Sequence, residues 1–114
     1  MKVQEKGNPF SVLNKNNGAI MNVFAIYWSD CKIHFACMEK NYDGLLIHYP
    51  DEIIILDPSI SFKIIFYASE DGRFLGLFHW SLVEKNLWDG VIDGELADRQ
   101  EFLRIIRSEN LIDW

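Results

Sequence analysis

Hydrophobic residues recur along this chain with two different periods, and the change between them divides it. As far as Trp80 they alternate with polar residues or form short runs bounded by Gly, Pro, Asn and Asp, as in β-strands. Beyond Ser81 they return at three- and four-residue intervals, as in helices. Residues 19–29 carry Ile20, Phe24, Ile26 and Trp28 mostly on one parity and Met21, Val23 and Tyr27 on the other, which predicts a central strand covered on both faces. In 32–38, Ile33, Phe35 and Cys37 alternate with Lys32, His34 and Ala36. Two short apolar runs, 45–49 and 53–56, are split by Pro50, Asp51 and Glu52. The arms 60–68 and 73–80 flank Glu70, Asp71 and Gly72 and predict a hairpin whose Asp-Gly pair supplies a positive φ. Ile60, Phe62, Ile64 and Phe66 on one arm, with Phe74, Phe78 and Trp80 on the other, are expected to face the core.

Ser81 with Glu84 reads as a capping box opening a helix over 82–88, ended by Gly90. Asp98 with Glu101 repeats the signal before a helix over 98–107, where Phe102, Leu103 and Ile106 form the apolar stripe and Ile105 widens it. The first nineteen residues are polar and rich in asparagine. They read either as an edge hairpin, with Phe10, Val12 and Leu13 turning back at Asn16, Asn17 and Gly18, or as a loose tail. Strands followed by helices predict one α+β domain over 1–114, a mostly antiparallel β-sheet meander packed by a C-terminal α-helix.

Composition removes several function classes. A chain that is 49% apolar and 25% charged has the balance of a globular domain, so disorder is not expected. The net charge is −6, and it is uneven: residues 1–63 hold seven acids against six bases, residues 64–114 ten against five. Neither half offers the basic footprint of a nucleic-acid binder, and an acidic surface favours a basic partner. No leader and no membrane-spanning run is expected, which leaves the cytoplasm as the expected location.

Catalytic and metal chemistry find little support. Pro50-Asp51 followed by Lys63 resembles the divided motif of metal-dependent nucleases, but that motif needs a second acid where Ser61 stands. Cys31, His34 and Cys37 have a tempting zinc spacing; on a strand, however, His34 points away from both cysteines, which are expected to be reduced and buried. His34, His48 and His79 fall on three expected strands, and a general base among them needs a nucleophile and an orienting acid within hydrogen-bond reach. No catalytic residue, metal or cofactor is expected.

The segment 84–98 stands apart, with Glu84, Asp89, Asp93, Glu95 and Asp98 against one base, Lys85, and Trp88 among them. A Trp between carboxylates on a turn-rich stretch suits a protein-binding edge, so Trp88, Asp89, Asp93, Glu95 and Asp98 are the candidate partner-binding residues. The competing reading makes the acids helix-terminus charges and Trp88 a core residue. In overall character, a small acidic α+β chain rich in aromatics and without a catalytic set, the sequence resembles the immunity proteins of bacterial toxin systems. These include the partners of contact-dependent inhibition toxins and of nuclease bacteriocins. The resemblance implies a neutralising partner for a toxin domain, often a basic nuclease, and transfers no functional residue. Two other classes remain open: a small-ligand or scaffold module, and an enzyme with a dispersed His and carboxylate site.

Overall fold

The alternating part of the chain folds into strands that pair in one sense. In the computed structural model, which describes residues 1–6 and 18–114, the strands are β1 (Lys2–Glu5), β2 (Ile20–Ser29), β3 (Lys32–Met38), β4 (Leu46–His48), β5 (Ile53–Asp57), β6 (Ile64–Ala68) and β7 (Phe74–His79). They are followed by helices α1 (Trp80–Glu84), α2 (Trp88–Asp93) and α3 (Leu96–Ser108). Every strand pairing among the described residues is antiparallel, and the fold is α+β. The proposed hairpin of Phe10, Val12 and Leu13 lies outside the described residues.

The centre of the sheet is β2, which explains its apolar residues on both parities. One edge pairs with β3; the other is shared, with Ile20 to Asn22 against β1 and Ala25 to Ser29 against β7. A register shift between Val23 and Ala25 sets an extra residue against β3. Phe24 and Ala25 then both enter the core beneath the helices, where they meet Phe78, Leu82, Val91, Phe102 and Ile106. A smaller core of Val3, Met21, Val23, Phe35, Cys37 and Ile53 forms separately. Consecutive strands β1 to β4 run as a meander, and β5 returns to lie beside β1.

Several expectations change. The start of the chain is no loose tail over the described residues 1–6: Lys2–Glu5 sits between β2 and β5 with Val3 fully buried. A single apolar residue among polar ones gave no periodic signal. Ile64 and Phe66 do not face the core; Phe66 is 63% exposed. Ile65 pairs with Phe78 and Tyr67 with Gly76, so the odd-numbered residues of β6 share the helix-side face. Four consecutive apolar residues, 64–67, had left that parity undecided.

The helix boundaries move too. Trp80 is not a strand residue but opens α1, whose N-cap is His79, the ring accepting from the Ser81 backbone N–H at 3.2 Å. The helix stops early because Asn86 takes a left-handed φ of 55°, which asparagine tolerates. Gly90 is not a stop. It lies inside α2, where any Cβ would strike the Asp98 side chain, so it marks the close approach of α2 to the start of α3. Gly94, at φ 83°, ends α2. Helix α3 begins at Leu96, with Glu95 as its N-cap, placing Asp98 in the first turn instead of at the cap.

The cysteines divide as well. Both are free, but Cys31 sits exposed in the β2–β3 turn and only Cys37 is buried. Burial pushes the Cys37 thiol up to about 12. Native protein treated with a thiol-specific reagent at pH 8 should therefore label Cys31 alone, with Cys37 reacting only on unfolding. Rapid native labelling of both would show that the smaller core opens readily.

Candidate functional site

Three elements converge on the segment singled out by its charge. The end of α1 and the start of α2 lie over the helix-side face of the β6–β7 hairpin. Between them runs a cleft of about 370 Å³ walled by Tyr67, Phe74, Phe78 and Trp88, with Asn86 and Asp89 as its exposed polar residues. Its local cause is the alternation of β7, where Phe74, Gly76 and Phe78 share one face. Gly76 pairs with both Tyr27 and Tyr67, and a Cβ there would strike the Ile26 carbonyl and Tyr27 itself.

Trp88 is half-buried. It stands edge-on to Tyr27 and to Phe78, each at 5.2 Å between ring centres, and 6.0 Å from Phe74. It is therefore a wall of the cleft, packed on the sheet at the margin of the larger core. Asp89 follows it at the cleft, and Asp93, one helical turn later, is exposed on the same side of α2. Glu95 is exposed at the N-cap of α3. Asp98 is half-buried against Gly90 and does not line the cleft. Trp88 and Asp89 are thus brought together, Asp93 and Glu95 flank them, and Asp98 is turned into the α2–α3 junction.

The electrostatics of this face are one-sided. The neighbouring Lys63 is engaged elsewhere, pairing with Glu84 at 2.9 Å. Arg99 donates to the Val91 carbonyl at 3.1 Å and reaches Tyr42 and Asp43. Asp89, Asp93 and Glu95 have no ion pair among the described residues. A larger open depression of about 750 Å³ beside Phe62 and Trp114 lacks this bias, since Lys2 and Lys40 share it with Asp57 and Asp113.

Comparison with family models, with curated proteins and with solved structures finds no match to this chain. Its site is read from geometry alone.

The histidines part company. His34 lies on the helix-side face, stacked on Tyr27 at 4.9 Å, whereas Cys37 belongs to the smaller core and Cys31 to a turn, so the three do not converge. His79 makes a network that sequence spacing could not show. Its Nδ1 is 2.9 Å from the Ser81 hydroxyl and its Nε2 2.5 Å from Glu109, whose other oxygen accepts from the Trp80 indole at 2.8 Å. Because Nδ1 accepts from the Ser81 backbone N–H, the ring proton belongs on Nε2, where it is donated to Glu109. A hydroxyl, an imidazole and a carboxylate in line have the order of a nucleophilic triad. Here Ser81 and His79 are both 0% exposed, so the serine meets no substrate and the chain of bonds ties α1 to the end of α3.

Proposed function

We infer that this chain is a protein-binding inhibitor that docks a basic partner on the face formed by α2 and the β6–β7 hairpin. The observation that carries the reading is the aromatic cleft flanked by carboxylates without internal partners. Hot spots of protein interfaces combine a desolvated aromatic centre with a polar rim, and like-signed rim charges speed encounter with an oppositely charged protein. Asp89, Asp93 and Glu95 supply the rim and Trp88 the packed centre. The biological form that suits such a surface is bacterial immunity: neutralisation in the cytoplasm of a toxin domain, a nuclease above all, whose phosphate-binding groove is basic. A small-ligand module is the second reading. It is favoured by a cleft volume within the usual range of roughly 300–1,000 Å³.

The two parts of the surface should fail differently. Reversing Asp93 and Glu95 to lysine is expected to slow association and flatten its salt dependence. Trp88→Ala is expected to shorten the residence time about 30-fold or more, the kinetic equal of a hot-spot loss. The decisive experiment challenges cells expressing the chain with basic nuclease toxin domains, using variants shown by circular dichroism to be folded. Variants that protect as well as the parent would move the binding surface elsewhere, and turnover of a substrate by the purified chain without a partner would overturn the binding reading.

A further inference from the structure

The cleft is more particular than a docking face requires. Tyr67 and Trp88 stand at 83° and 80° to Phe78, one from the edge strand and one from the helix. Each contacts Phe74 and Phe78, yet the two make no ring contact with one another, so a trough opens between them. Phe78 is 2% exposed, while Tyr67 is 44% exposed. Ring faces are electron-rich and ring edges are not, so a trough of several aromatic rings attracts a cation more than an equally apolar aliphatic groove does. Asp89 and Asn86 add a carboxylate and an amide carbonyl, and no basic residue among the described ones lines the trough. Two nearby arginines are placed elsewhere: Arg73 lines a separate depression with Trp28 and Cys31, and Arg99 is held at Tyr42.

We propose that this trough receives an arginine side chain of the partner, its guanidinium stacked between Tyr67 and Trp88 and bonded to Asp89. The inference rests on the docking reading above and names the chemistry of the contact. Arginine fits better than lysine because a planar guanidinium stacks on rings and meets a carboxylate through two parallel bonds. Its aliphatic stem lies along Leu82 and Val83 on the apolar side of the cleft. An apolar anchor would fill the same volume without using Asp89.

The test is a titration of the full chain followed by NMR at the Trp88 indole N–H and the Tyr67 and Phe74 rings. The probes are N-acetylarginine amide, the uncharged N-acetylcitrulline amide of the same shape, and tetramethylammonium. The arginine probe should give saturable shifts confined to the trough, and the citrulline probe should bind at least ~10-fold more weakly, as loss of a cation–π contact and a charge pair requires. Asp89→Asn and Tyr67→Leu, both at exposed positions, should each weaken the arginine probe about 5-fold with the fold unchanged. Equal binding of citrulline, tighter binding of tetramethylammonium, or no saturable shift with arginine overturns the assignment. Because the titration needs no partner, its failure is distinct from failure of the docking reading, which the charge-reversal kinetics test separately.

Discussion

Phe102→Ala should lower the free energy of unfolding by about 3–5 kcal/mol in urea melts, a large part of the roughly 5–15 kcal/mol that a domain of this size has to lose. The ring is 0% exposed and joins three elements. From α3 it meets Phe24 of β2 edge-on at 5.4 Å and His79 at the end of β7 edge-on at 5.7 Å. Truncation removes the transfer free energy of the ring and leaves a cavity that the sheet on one side and α1 on the other cannot close by local movement. Phe102→Leu, which keeps most of the volume, should cost much less, about 1–2 kcal/mol. A loss under about 1 kcal/mol for the alanine variant would mean that α3 is not held by this face.

The stripe that makes this expectation firm was legible because helical periodicity is a property of neighbours in sequence. Phe102 and Ile106 are buried as read, though Ile105 is the third core residue and Leu103 only borders it. The same holds for β2, β3 and the turn at Gly72, whose φ of 70° is the one the Asp-Gly pair predicted. Legibility ended where a partner decides the outcome. In β6 both parities are apolar, and only pairing with β7 assigns Tyr67 to the cleft and Phe66 to the outer face. Gly90 looked like a helix stop because its reason, the Asp98 side chain lying against it, belongs to the next helix. For the candidate site, the charged half was visible as a run of acids around Trp88. The aromatic half was not, since Tyr67, Phe74 and Phe78 reach that tryptophan only through the hairpin.

His79→Ala should cost about 3 kcal/mol at neutral pH, from a buried ring lost and the buried Ser81 left without its partner, while Glu109 keeps its bond to the Trp80 indole. Glu109→Gln should cost less, about 1–2 kcal/mol, because one amide oxygen can serve only one of the two donors, the His79 ring and the Trp80 indole. The pair also gives stability a pH dependence of definite sign. Burial holds the His79 pKa below its ordinary value, and the bond to Glu109 opposes this without cancelling it. A ring whose pKa is depressed in the folded state takes up its proton more readily in the unfolded chain. Its contribution is therefore complete above about pH 6.5 and is lost as pH falls from there through the folded value. Asp57, Asp71 and Glu101 are held below their ordinary range by hydrogen bonds to Ser59, to Arg73 and Ser69, and to Arg104 respectively; they act in a lower window, below about pH 4. Melting curves of the parent should thus decline between pH 7 and pH 5 before acid unfolding begins, and His79→Gln, which cannot take up a proton there, should flatten that decline. An unchanged slope in the glutamine variant would show that the decline does not come from the His79 ring and leave its network a neutral tie between α1 and α3.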